Sequence, residues 1–362
     1  MLIAAVSSRP FVNAAVSAGY AVVALDVFAD SDTQRVAEQV YKINYANSGF
    51  VAKQFEAVID QIDTSDMQGF AYGSGFEAQP DLLERIAKRL PLIGNAPEVV
   101  GKLKYASYFF GVLDGLAIPH PEVSFTSIAN ADGWICKEEG GSGGTHVLDA
   151  AANKSLLKGQ YYQRVMDGTP ISMLFAADGI EIKVIGFNQQ LLAPIAGKPY
   201  RYGGIVGHVN LPFEIKQSLQ ETAQKITSVF GLRGLNSLDV IWHDDHYWVL
   251  EINPRLSSSL DLYQSKESNL FALHVQAVDG DLSHFPKISS RSKARKVLYA
   301  GQDLVIAEDL VWPDWVADIP IAPIIIPQHQ PICTVLADAD TAEEAQALVA
   351  KRIEQLSALL FK

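Results

Sequence analysis

Cysteine is almost missing from this chain: Cys136 and Cys333 are the only two in 362 residues. They stand far apart, with no CxxC and no Cys/His neighbour, which excludes a disulfide framework and a zinc site and fits a reducing compartment. Charge is scarce too, at 19% of residues, and it leaves a formal net charge of −12. A chain without a basic balance lacks the field that nucleic acid or an anionic membrane surface requires, so neither is an expected partner. Long hydrophobic runs are absent as well: no stretch reaches the roughly 18 to 20 apolar residues that cross a bilayer. The opening Met1-Leu-Ile-Ala-Ala-Val has no basic start and is broken by Ser7, Ser8 and Arg9. It reads as a buried first strand rather than a signal peptide, and a cytoplasmic location is the expectation.

What is plentiful is apolar surface, with 48% of residues hydrophobic. A chain of this length exceeds one ordinary core, so two or three units around a cleft are expected. A strand over 2–6, a helical stretch from Arg9 to Ala18 stopped by Gly19, and a strand from Ala21 to Leu25 make a βαβ opening. The same alternation continues through a helix near 51–62, a strand at 69–72 and a helix over 80–90. Residues 1–96 are therefore expected to form a small Rossmann-like, doubly wound parallel sheet. Its first turn, Ser7-Ser8-Arg9-Pro10, is not GxGxxG, so a nucleotide is expected to bind elsewhere. A helix over 97–116 and the stiff Ile118-Pro-His-Pro121 lead into the short strands of a small lobe, 97–170. A larger lobe with alternating strands follows over 171–362 and closes on an amphipathic helix from Thr341 to Leu360. The expected class is α/β, with α+β lobes after the first unit.

The strongest local signal is Leu238-Asp-Val-Ile-Trp-His-Asp-Asp-His-Tyr-Trp-Val-Leu-Glu-Ile-Asn-Pro-Arg255, two strands joined by a polar turn. Side chains alternate along a strand, so Glu251 and Asn253 share one face while Leu250 and Ile252 point into apolar packing. A carboxylate and an amide oxygen two residues apart, with Asp239 on the adjoining strand, suit a hard cation such as Mg²⁺ or Mn²⁺ that also carries phosphate oxygens. Asp239 faces Glu251 only if the turn holds an odd number of residues. A three-residue loop, Asp244 to His246, meets that condition, and a two-residue turn would put Asp239 on the other face. Arg255, just after Pro254, would stand near the phosphates as a bidentate clamp. An E-x-N triplet alone suits a solvated surface hairpin equally well, but acidic side chains interrupting apolar strands need a partner.

The second signal is Trp134-Ile-Cys-Lys-Glu-Glu-Gly-Gly-Ser-Gly-Gly144-Thr-His-Val. An apolar strand delivers Lys137 to its end, and Gly140, Gly141, Gly143 and Gly144 leave backbone N–H groups free to approach an anion. This reads as a phosphate-covering flap with a lysine beneath it, although a Gly-rich loop by itself also serves as a plain linker. It is no Walker loop, because no GK[ST] follows. Lys102 and Lys104 on the preceding helical stretch form a third signal, and either one could reach a phosphate.

Taken in order, these pieces resemble the ATP-grasp superfamily across nearly the whole chain. Glu251-Ile-Asn-Pro-Arg255 is similar to its E-I-N-P-R segment, and Lys137 with its glycines is similar to its K-P-x-x-G-x-G-G element. The resemblance implies ATP and magnesium as cofactors, with Lys137 and Lys102 or Lys104 on the phosphates, and Asp239, Glu251 and Asn253 on the metal. It further implies that the hinge, Tyr161-Tyr-Gln-Arg-Val-Met-Asp167-Gly168, lays backbone at Arg164 and Val165 against adenine, with Asp167 in reach of ribose. Lys137 and Arg255 would be the catalytic cations. Glu138, Gly101 and Arg164 depart from the residues usual at their positions. The segments Asp26-Val-Phe-Ala-Asp30, Tyr72-Gly-Ser-Gly-Phe-Glu77 and Ile93-Gly-Asn95 look like a branch of predicted ATP-dependent carboligases, related to tyramine–glutamate ligase and to methanopterin- and methanofuran-linked one-carbon metabolism. The implied activity is a ligase that turns a carboxylate into an acyl phosphate and joins it to an amine, with small molecules as partners and a homodimer admitted. An ATP-binding regulatory or assembly subunit, or a bicarbonate-dependent carboxylase, is the alternative.

Overall fold

A computed structural model describes residues 1–46, 49–153 and 155–361. Three main sheets carry a mixed α/β fold. The first is parallel and five-stranded, in the order Gln39–Lys42, Val23–Asp26, Leu2–Ala5, Phe70–Tyr72 and Leu92–Ile93. Every residue of Leu2–Ala5 is buried, as a central parallel strand covered on both faces must be. One face packs under Phe11 and Val12 against Leu174, Leu235, Leu256 and Phe271 of the later part of the chain. The first unit therefore has no free rear surface on that side; its core is continuous with the rest.

The second sheet is antiparallel and four-stranded, with Trp134–Glu138 between Leu148–Asp149 and Gln160–Arg164. The third is an eight-stranded antiparallel sheet with His246–Asn253 at one edge, followed inward by Arg233–His243, Thr169–Asp178 and Ile182–Leu192. Helix Phe213–Phe230 lays Ile215, Leu219, Ala223 and Ile226 onto it. Gly231, in the left-handed conformation at φ 67°, ends that helix, the role for which a residue without Cβ is favoured. Helix Ala342–Leu360 covers the far strands through Ala345, Val349 and Leu356, and its N-cap Thr341 accepts from Glu344 N–H. Among the described residues no helix is long and apolar enough to cross a membrane.

The single helix expected over 97–116 is two, Pro97–Lys104 and Ala106–Gly115. Tyr105 is extended between them, at φ −83° and ψ 99°, and Glu139 of the Gly-rich segment accepts from Ala106 N–H at 2.8 Å. A carboxylate at a helix N-terminus satisfies an orphan donor and complements the dipole, so the break is stabilised from outside the local sequence.

Candidate active site

The hairpin that carries the acidic residues departs from expectation in its turn. The loop holds two residues, Asp244 and Asp245, because His243 pairs with His246. That parity would aim Asp239 away from Glu251. Between Val240↔Val249 and Asp239↔Glu251 the ladder slips by one residue, leaving Leu250 as a bulge. The extra residue restores the shared face that a three-residue loop was expected to provide. Asp239, Glu251 and Asn253 then converge: Asn253 Nδ2 donates to Asp239 Oδ2 at 3.0 Å and to Glu251 Oε1 at 3.4 Å.

Burial, and then the neighbouring Glu251 charge, push the Asp239 carboxyl up. Burial would raise Glu251 also, but Lys104 and Lys137 outweigh it and hold that group low. Asp239 Oδ1 is buried and makes no close hydrogen bond among the described residues; Ser172 and Gln190 are the polar side chains that face the carboxylate and favour its charged form, and the remaining oxygen lone pairs leave room for a further ligand. Among the described residues no group of three His, Cys, Asp or Glu side chains converges. Two carboxylates and an amide make an incomplete cage of hard oxygens, the kind that suits a cation bringing phosphate oxygens of its own.

The two expected lysines separate. Lys104, 9% exposed, donates to Glu251 Oε2 at 2.7 Å and to Asn253 Oδ1 at 3.1 Å. Lys102 is turned outward on the same helix and pairs with Glu98 at 2.6 Å, an exposed i,i+4 contact, so it does not reach the site. Lys137 comes from the other sheet, and its one hydrogen bond is a long 3.4 Å contact to Gln163 Oε1. Burial lowers its ammonium, while the charges of Glu251 and Asp239 oppose that.

The Gly-rich segment lies across the cavity. Gly140, Gly143 and Gly144 have positive φ. A Cβ on Gly144 would fall 1.9 Å from Tyr200 O, and one on Gly141 would overlap the His146 ring at 2.2 Å. Only Gly143 stands in open space, and its carbonyl accepts from Tyr202 N–H at 2.9 Å. The flap is thus docked on the eight-stranded sheet, over a cavity of about 660 Å³ lined by Lys137, Asp239, Glu251, Asn253 and Arg255.

Residues 104–259 match the family described as the ATP-grasp domain. The L-amino acid ligase of Bacillus licheniformis superposes with a TM-score of 0.69 at 13% identity, covering 98% of this chain and 96% of that one. The fold is ATP-grasp. The biotin carboxylase domain of the Hydrogenobacter thermophilus 2-oxoglutarate carboxylase, solved with MgADP and bicarbonate, has a TM-score of 0.72 at 11% identity and covers 95% of this chain and 87% of that one. An uncharacterized protein of Methanocaldococcus jannaschii is 21% identical over 356 residues, spanning 93% of this chain and 87% of its own length.

Within this ATP-grasp frame three expected contacts are altered. The N–H groups of Arg164 and Val165 are already engaged, by Glu122 O at 2.8 Å and Gly133 O at 2.9 Å. Both residues line the cavity, with their backbone donors already taken by neighbouring carbonyls. The Arg164 side chain turns outward, donating to Asp132 O and lying over the Trp134 ring. Asp167 is exposed and absent from the cavity wall, although Met166 and Gly168 on either side of it line the cavity. Arg255 is no open fork: its Nε donates to Glu77 Oε1 at 2.7 Å, and its Nη2 to Asn253 Oδ1 at 3.3 Å. Glu77, 3% exposed, is the residue that sequence reasoning missed as a part of the site. Arg255 and Lys104 hold its carboxyl low against the opposing effect of burial.

Proposed function

We propose that this chain is an ATP- and magnesium-dependent ligase that activates a carboxylate as an acyl phosphate and couples it to an amine. The observation that carries the reading is the convergence of Asp239, Glu251 and Asn253, two of them held by Lys104, on a cavity that Lys137 and the Arg164–Val165 segment also line. Asp239 Oδ1, buried and without a close donor among the described residues, fits a site completed by a cation, and Asp239, Glu251 and Asn253 would hold it. Magnesium there would supply charge neutralisation for the phosphoryl group in transfer.

Lys137, whose ammonium has donors to spare, grips the nucleotide phosphates. Arg255, positioned by Glu77, presents its remaining donors to the incoming carboxylate or to the transferred group. The carboxylate oxygen attacks the γ-phosphorus, ADP departs, and the amine then attacks the acyl carbon and expels phosphate. Little covalent help is required, since positioning and a preorganised field do the catalysis. The docked flap keeps water from the acyl phosphate. The resemblance of Asp26–Asp30, Tyr72–Glu77 and Ile93–Asn95 to the carboligase branch supports methanopterin- or methanofuran-type cofactor assembly as the setting.

Incubation with MgATP and pooled carboxylates and amines, read by mass spectrometry, identifies the pair that condenses. Bicarbonate-dependent ADP release in the same assay would assign carboxylation instead. Lys137→Ala and Glu251→Ala should each abolish ADP release, and full turnover by either refutes the reading.

A further inference from the structure

The proposed metal ligands are not waiting empty-handed. Lys104 Nζ is hydrogen-bonded to Glu251 Oε2 at 2.7 Å and to Asn253 Oδ1 at 3.1 Å, so one ammonium engages two of the three side chains in the oxygen set. Its side chain is only 7% exposed. A buried ammonium persists only with such partners, and charge-assisted bonds of this length are among the stronger ones. Lys137 faces the same carboxylates but makes no hydrogen bond to them; its contact is with Gln163. The two lysines of the site are therefore not equivalent.

Lys104 is placed there by the chain around it. It is the last residue of Pro97–Lys104, directly before the extended Tyr105. The next helix begins on Glu139, which belongs to the flap segment. The flap, the helix break and the lysine are thus mechanically joined: the segment that lies over the cavity also fixes where Lys104 points.

We infer that Lys104 is an internal counter-cation which holds Glu251 and Asn253 in place while nucleotide is absent, and which has to leave those oxygens before a divalent ion can take them. The inference rests on the ligase reading for the identity of the metal ligands and goes beyond it in assigning an order. Metal alone has to displace the ammonium from its carboxylate. Metal arriving with nucleotide meets phosphate oxygens, which give the released ammonium a new anionic partner. Binding of the two is then coupled, with Lys104 as the positioning residue that couples them.

Titration of the full chain with Mn²⁺ alone, followed by the electron paramagnetic resonance signal of the free ion, tests this without turnover. Wild-type protein should bind Mn²⁺ weakly without nucleotide and at least tenfold more tightly with ADP. Lys104→Met, which keeps the length and removes the charge, should bind Mn²⁺ at least tenfold more tightly than wild type without nucleotide and should gain little on adding ADP. Lys104→Arg should behave as wild type, which guards against a change in packing as the cause. Equal nucleotide-free affinities for Lys104→Met and wild type would overturn the inference, as would Lys104→Arg binding as tightly as Lys104→Met. Glu251→Gln in the Lys104→Met background should abolish the gain; retention of tight Mn²⁺ would place the metal elsewhere. The ligase reading fails separately, on the absence of any condensed product from a protein that shows this coupling.

Discussion

Removing Glu77 should cost far more stability than its place in a Gly-rich turn suggests. Its Oε1 accepts from Arg255 Nε at 2.7 Å and its Oε2 from Gly75 N–H at 2.6 Å, and the two charged side chains are 2% and 12% exposed. Breaking a buried pair by deleting one partner leaves the other charge uncompensated, at about 3–5 kcal/mol. Arg255 keeps a 3.3 Å contact to Asn253 Oδ1 and another to Leu256 O, which argues for the lower end, about 3 kcal/mol. Urea unfolding of wild type, Glu77→Ala, Arg255→Met and the double variant forms a complete cycle. The two single losses should sum to roughly twice the double loss, because the second substitution removes the charge that the first left stranded. Glu77→Ala should also misplace Arg255 and lower kcat more than it raises KM for ATP. A Glu77→Ala loss within about 0.5 kcal/mol, the range of ordinary surface changes, or an additive cycle, refutes the reasoning.

The remaining expectations concern the flap, the outward lysine and a buried histidine. Gly144→Ala, at φ 73° with Tyr200 O 1.9 Å from the new Cβ, should undock the flap and lower the rate of amide formation on the order of 100-fold, whereas Gly143→Ala, in open space, should cost much less; steady-state kinetics separates them. Lys102→Ala should leave ADP release, metal binding and the unfolding temperature at wild-type values, because an exposed, solvent-screened pair contributes little, as calorimetry can check. His274 accepts Leu235 N–H on Nδ1 and donates to Ile93 O on Nε2, and burial pushes it down to about 4. Its unfolded value is near 6.5, so between pH 6.5 and 4 the unfolded chain binds the extra proton. Stability is complete above that window and falls with pH by about 1.4 kcal/mol per unit inside it. Unfolding free energies at pH 7.5, 6 and 5 should show that slope in wild type and a flatter one in His274→Gln.

Much of the acidic site was legible because it is local. Glu251 and Asn253 at alternate positions in an apolar hairpin can be read from about twenty residues of sequence, and their shared face followed from strand periodicity. The mechanism of that sharing was not legible: an odd loop and an even loop with a bulge give the same facing, and nothing in Val249-Leu250-Glu251 distinguishes them. Lys102 and Lys104 are distinguishable in the sequence, since Glu98 and Lys102 at i,i+4 already mark an exposed pair. The helix break at Tyr105 had none, because the group that stabilises it, Glu139, lies 33 residues away from Ala106. Glu77 was hidden for the same reason: its partner is 178 residues distant. Which backbone groups of the hinge stay free was not legible either, because the N–H groups of Arg164 and Val165 are taken by Glu122 and Gly133, carbonyls whose proximity only the folded sheet creates.

On the proposed reading, the cluster of Asp239, Glu251 and Asn253, faced by Lys137, drives γ-phosphoryl transfer to a carboxylate. Hydroxylamine trapping addresses it directly: protein, MgATP and pooled carboxylic acids are incubated with hydroxylamine, and hydroxamate is quantified beside ADP. Wild type should yield a single hydroxamate in equal amount to ADP, and Glu251→Gln should yield neither. ADP released with no hydroxamate from any acid, or a Glu251→Gln variant as productive as wild type, would contradict it.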